Sequence, residues 1–229
     1  MDLGIRGRRA IVCGGSAGLG YATARSLARE GVDIVLAARD PARLEAAAAG
    51  IAGEIGANVT PVACDVTTDA GRDALLAACP QPDILINNAG GPPPGDFRKW
   101  TRDDWLKALD ANMLSAIFLM QAVVDGMGER GFGRIVNITS HMVKEPKGML
   151  GLSNGARAGL TGFVGGLARD VARNNVTINN VLPGQFDTGR LRSNHQAFAA
   201  AGGTDFDSLR ARMKAQIPAR RFGDPAEFG

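Results

Sequence analysis

Gly14, Gly18 and Gly20 close a short apolar run and open a stretch of helical periodicity. Glycine at that spacing keeps the turn tight and leaves no Cβ between an incoming diphosphate and the first N–H groups of the helix. Ser16 and Leu19 belong to the same turn, and the helix dipole adds to the attraction. The next apolar run ends in Ala37-Ala38-Arg39. An acid there would accept from a ribose 2′-hydroxyl and repel a 2′-phosphate. Arg39 instead offers a guanidinium fork suited to phosphate, with Ser16 as a second donor. NADP(H) is therefore the expected dinucleotide, with NAD(H) second; the bland alternative for Arg39 is a solvated loop arginine.

The elements that must position these residues alternate along the chain. Short apolar runs at 9–13, 33–38, 59–63, 83–87, 134–139 and 177–182 read as strands. Helical patterns occupy 18–30, a stretch opening at Asp40-Pro41, 69–78, 102–129 and 153–173. Asp40 is an N-cap acceptor and Pro41 sits where its missing N–H costs nothing. Strands without polar alternation, each followed by a helix, predict a parallel sheet covered on both faces: an α/β, doubly wound, Rossmann-type single domain over 1–229.

With 45% hydrophobic and 21% charged residues, 229 residues suffice to bury one sizeable core. The net charge of +3 (26 basic less 23 acidic) is scattered, and only 5% of residues are aromatic, so no nucleic-acid platform is expected. Cys13, Cys64 and Cys79 lack C-x-x-C spacing and read as buried free thiols in a reducing compartment. No metal-ligand spacing occurs. The first residues form no apolar leader and no stretch reads as membrane-spanning, so the expectation is a cytoplasmic protein with no membrane partner.

Gly14-Gly15-Ser16-Ala17-Gly18-Leu19-Gly20, Asn87-Asn88-Ala89-Gly90, Asn112, Ser140 and Pro183-Gly184 occur in the order and spacing of the short-chain dehydrogenase/reductases. The chain resembles that family, and within it the 3-oxoacyl-carrier-protein reductases, over nearly its whole length. The resemblance implies that Asp65-Val66 meets the adenine and Asn88-Ala89-Gly90 passes the adenosine ribose. It implies that the segment holding Pro183, Gly184, Phe186 and Thr188 carries the nicotinamide carboxamide. It also implies a homodimer or homotetramer, paired through a helix bearing Gly159, Gly162, Gly165 and Gly166. Family members continue past a segment like Gly223-Asp224-Pro225-Ala226-Glu227 into one more helix and strand, so relative to the family this sequence is shorter by about thirty residues.

One departure bears on chemistry. The family's Asn and Ser correspond to Asn112 and Ser140, but its Tyr-x-x-x-Lys corresponds to Ser153-Asn154-Gly155-Ala156-Arg157; the single tyrosine is Tyr21. An aliphatic hydroxyl is a far weaker acid than a phenol, and arginine holds its proton. Arg157 is expected to bind the nicotinamide ribose and to stabilise a developing alkoxide. Ser153 is either catalytic or a helix N-cap. His141, next to Ser140, is the candidate replacement acid; Lys144 and Lys147 are weaker ones, and His195 reads as a surface residue. The resemblance thus implies hydride transfer between nicotinamide and a small carbonyl or alcohol substrate with a non-standard proton donor. The alternative is a weak or inactive dinucleotide-binding sensor or partner subunit.

Overall fold

A computed structural model describes residues 2–229. Six strands form one sheet: β1 (Arg9–Cys13), β2 (Asp33–Ala38), β3 (Val59–Ala63), β4 (Ile84–Asn87), β5 (Gly133–Ile138) and β6 (Val176–Val181). All pairings are parallel and the order is β3-β2-β1-β4-β5-β6. The helices are α1 (Gly18–Arg29), α2 (Pro41–Ile55), α3 (Asp69–Ala78), α4 (Arg102–Leu109), α5 (Ser115–Glu129), α6 (Gly151–Val171), α7 (Gly189–Gly202), α8 (Phe206–Gln216) and the single turn α9 (Pro225–Phe228).

Period-two alternation sends successive residues of the central strand to opposite layers. Ile11 and Cys13 join Leu85 and Ile135 beneath Leu75, Leu119, Met120, Val123 and Leu160 of α3, α5 and α6. Ala10 and Val12 join Ile34, Leu36 and Ile86 beneath Ala24, Ala28, Leu44 and Ile51 of α1 and α2. Both faces are therefore apolar, which is why these strands lack polar alternation.

The expected strands all form, three of them with shifted ends. Asp40 caps α2 by accepting from the Arg43 N–H at 3.1 Å, with Pro41 leading the helix. The helical run 102–129 is not one helix: a π-helical turn, Asp110–Leu114, separates α4 from α5. By length and composition this 28-residue run could cross a membrane, but Leu119, Met120, Val123 and Met127 pack it onto the sheet. The region after β6 folds into α7, α8 and the single turn α9.

Candidate functional site

In an open parallel sheet, connections leave in opposite directions at the point where strand order reverses, and a crevice opens there above the carboxyl ends. Here that point lies between β1 and β4. Two clefts meet over it, one of about 650 Å³ and one of about 260 Å³, sharing Gly14, Arg43, Asn88, Ala89 and Gly90.

The glycine turn forms the floor. Ala17 precedes α1 without a side-chain cap and no acid occupies the first turn, so the helix presents bare N–H groups to the cleft. Gly14 has φ +61°, and a Cβ on it would lie 2.6 Å from the Asn88 amide. Gly18, Leu19 and Thr188 line the larger cleft. Gly20, expected to clear the diphosphate path, lines neither cleft. A Cβ there would meet the Gly14 carbonyl oxygen at 2.3 Å, so Gly20 lets α1 pack against its own turn and acts on the site only through that packing.

Ser16, Arg39, Asp65 and Val66 line the smaller cleft, together with Arg43. No acid stands at Arg39, but Asp65 accepts from the Thr67 N–H at 3.0 Å and hydroxyl at 2.8 Å. Burial pushes the Asp65 carboxyl up, while Thr67 and the Arg39 charge outweigh it and hold the group below the usual range. Arg43 is one α2 turn inside its cap and borders both clefts; its position near the N-terminus of α2 was the only sign of it in the sequence.

At the opposite end stand Ser140, His141, Ser153 and Arg157, with Pro183, Gly184 and Phe186 facing them. Asn112 lies behind, in the π turn, a local widening of the helix that often marks functional sites. Its Nδ2 donates to the Gly90 carbonyl at 3.0 Å, and its buried Oδ1 has no partner among the described residues. Ser140 Oγ accepts from the Met142 N–H at 3.2 Å. Ser153 is not an N-cap, because α6 begins two residues earlier; its Oγ accepts from Arg157 Nε at 3.1 Å. Arg157 also donates to the carbonyls of Ile138 at 2.9 Å and Ala89 at 3.5 Å. Burial, then the neighbouring Arg190 charge, pushes the Arg157 guanidinium down to about 10, which leaves it protonated at neutral pH.

His141 Nδ1 lies 3.0 Å from the Pro183 carbonyl. A carbonyl only accepts, so Nδ1 carries hydrogen and Nε2 is the nitrogen left to exchange a proton. Lys147 borders the cleft and Lys144 does not. His195 is not a surface residue: it is 1% exposed, on the buried side of α7 against Phe222, with Arg210 Nη1 3.4 Å from its Nδ1. Tyr21 packs in the layer of α1 and α2, away from both clefts. The site also contains Arg190, the second residue of α7, which no motif or spacing singles out. Its guanidinium donates to the Pro92 carbonyl across the cleft mouth.

The chain and its fold are similar to known proteins. The chain is 36% identical over 228 residues to acetoacetyl-CoA reductase of Cupriavidus necator, covering 96% of this chain and 87% of that one. It is 32% identical over 232 residues to a 3-oxoacyl-[acyl-carrier-protein] reductase of Vibrio cholerae, covering 99% and 88%. The structure superposes on L-sorbose reductase of Gluconobacter frateurii, solved with NADPH and L-sorbose, with a TM-score of 0.91 and 31% identity over 99% of this chain and 88% of that one. Residues 8–198 match the short chain dehydrogenase family. The chain belongs to the short-chain dehydrogenase/reductases, a family of NAD(P)-dependent oxidoreductases, and is similar to its acetoacetyl-CoA and 3-oxoacyl-carrier-protein reductases.

Proposed function

We propose that this protein is an NADP(H)-preferring oxidoreductase acting between a carbonyl and the corresponding alcohol, with a proton source other than tyrosine. The observation that carries this reading is the pair of adjoining clefts over the β1–β4 switch point. Uncapped α1 lies at their centre, Arg39 and Ser16 at one end, and Ser140, Ser153 and Arg157 at the other. The NADPH in the sorbose reductase complex supports the same preference. Arg39, Ser16 and Arg43 would hold a 2′-phosphate, the α1 turn a diphosphate, and Asn88 to Gly90 a ribose. Pro183 to Thr188 would hold the carboxamide. When bound, the nicotinamide supplies or accepts the hydride.

The chain's own residues supply the rest. Ser140 accepts the Met142 N–H and so has its hydroxyl hydrogen to give to a carbonyl oxygen. Arg157 places a permanent charge beside that oxygen and stabilises the negative charge that develops on it. His141 is the proton source: with Nδ1 tied to Pro183, the imidazolium delivers its proton from Nε2 and solvent in the cleft restores it.

A second reading, a weak or inactive dinucleotide-binding sensor or partner subunit, is favoured by one observation: the only tyrosine lies outside the cleft and Ser153 has an aliphatic hydroxyl engaged by Arg157. A nicotinamide absorbance assay over a panel of ketones and alcohols, run beside an NADPH titration, separates the two. Binding with turnover supports the enzyme; binding without any turnover supports the sensor. Loss of binding defeats both.

The buried thiols of Cys13, pushed up to about 12 by burial, and of Cys79, also pushed up, suit a reducing cytoplasm. On α6, Gly162, Gly165 and Gly166 have open space where a Cβ would stand, beside the exposed Phe163, with Phe118 exposed on neighbouring α5. This small and apolar face supports pairing with a second copy, as a homodimer or homotetramer.

A further inference from the structure

Among the described residues, four basic side chains border the large cleft, Arg43, Lys147, Arg157 and Arg190, and no aspartate or glutamate does. Arg157 and Arg190 belong to its reacting end. Among the described residues neither forms an ion pair. Asp187, three positions before Arg190, is taken by Arg192 at 3.0 Å and Arg210 at 2.9 Å. Arg157 meets only neutral oxygens, and the Arg190 charge further destabilises its own. Like charges facing one cleft without a counter-ion are an unfavourable arrangement that an anion between them relieves.

The position of Arg190 says which anion. The site where a Cβ on Gly91 would stand lies 3.3 Å from Arg190 Nη2, 3.4 Å from Asn112 Oδ1 and 3.7 Å from Ser153 Oγ. Arg190 thus reaches the reacting end, tied there to the Pro92 carbonyl, and not the α1 turn where a diphosphate would lie. Only one of its nitrogens is engaged, which leaves most of a planar fork suited to a carboxylate.

Resting on the carbonyl-reductase reading above, we infer that the substrate is a keto acid, or the matching hydroxy acid, whose free carboxylate lies α or β to the reacting carbon and is received by Arg190 beside Arg157. In the reaction the carboxylate is unchanged. Hydride from NADPH goes to the carbonyl carbon and one proton to its oxygen, giving the hydroxy acid and NADP+.

The test is NADPH oxidation by the full chain with matched pairs: pyruvate against methyl pyruvate, acetoacetate against methyl acetoacetate. We expect kcat/KM to favour at least one acid over its ester by about 10–100-fold, the range of a charge-assisted pair. Arg190→Gln should erase that ratio, and Arg190→Lys should keep part of it. The Kd for NADPH should change less than about twofold in either variant, since one charge-assisted contact to a phosphate would give more. Equal rates on acid and ester, or a ratio that survives Arg190→Gln, overturns the inference. A tenfold weaker NADPH affinity in Arg190→Gln also overturns it, by placing the guanidinium on a cofactor phosphate. If no pair is turned over, the same compounds are titrated into NADP+-loaded protein. Acids that bind while esters do not sustain the anion site although the reductase reading fails; binding of neither, or of both equally, defeats the inference itself.

Discussion

Arg157 Nε donates to Ser153 Oγ at 3.1 Å across one turn of α6. Residues four apart share a helix face, so the geometry follows from the spacing alone. The consequence is chemical. A serine hydroxyl oriented by a guanidinium is no proton donor at neutral pH, whereas a phenol with an ordinary value near ~10 can be tuned into one. With His141 as the proton source, His141→Ala should cost about 10²–10⁴ in ketone reduction, the usual contribution of a general acid, and Ser153→Tyr with Arg157→Lys should restore turnover in that background. Each change alone should give less, because the two act as a unit. Brisk parent turnover that ignores His141→Ala, Ser140→Ala and Ser153→Ala would place the chemistry elsewhere.

Arg39 stands directly after β2, where an acid would repel a 2′-phosphate, and the neighbouring Asp40 is engaged as the cap of α2. Arg39→Asp should shift the NADPH-to-NADH affinity ratio by about 10–100-fold toward NADH, through loss of a charge-assisted contact and gain of a repulsive one. Fluorescence titrations with both cofactors measure it. An unchanged ratio would mean that Ser16 and Arg43 carry the selection.

Gly20→Ala tests whether that glycine packs or binds. Its Cβ would stand 2.3 Å from the Gly14 carbonyl oxygen and 2.8 Å from Asn88 Nδ2, so the turn must shift. A loss of about 1–3 kcal/mol in urea unfolding is expected, the usual cost of overpacking, with weaker NADPH binding through the displaced turn. Gly53→Ala, on α2 with nothing within 4 Å of its Cβ, should instead gain about 0.5–1 kcal/mol from helix propensity.

His195 gives a pH dependence of defined sign. Burial, then Arg210, pushes its imidazole below the usual range, Lys147 acts in the same direction, and Asp187 opposes them. The unfolded chain therefore binds this proton more readily than the folded one. Its contribution to stability is complete above the ordinary histidine value of ~6.5 and is lost as pH falls from there toward the lower folded value. Urea midpoints should drop over that window, and His195→Phe should flatten the drop. An identical pH profile in the variant would mean that other groups govern it.

Phe163→Glu on the open face of α6 should lower the sedimentation coefficient at micromolar concentration by replacing an apolar contact with a buried charge. A parent that already sediments as a monomer would refute pairing through this face.

Much of this molecule is written in local rules. Apolar runs bounded by turns give the strands, Asp40-Pro41 gives the start of α2, and Gly14 with φ +61° gives the tight turn, because near-neighbour sterics and hydrogen bonding decide each of them. Gly20 has the right spacing for a phosphate glycine, yet whether it faces a ligand or its own turn depends on where Asn88 arrives, 68 residues later. The π turn at Asp110–Leu114 falls inside an unbroken helical pattern, since periodicity does not register one wider turn. His195 carries no mark of burial because Phe222 and Arg210, which cover it, are distant in sequence.

The sequence by itself determined the α/β alternation, the glycine turn, the four-residue spacing of Ser153 and Arg157, and Tyr21 as the single tyrosine. Only the tertiary structure decided that Ser153 pairs with Arg157, that Tyr21 stays in the core layer, and that Arg190 reaches Pro92 across 98 residues of chain. The reason is physical: a residue's conformational bias is set by its neighbours along the chain, whereas its charge environment is set by whichever segments the packed sheet brings beside it.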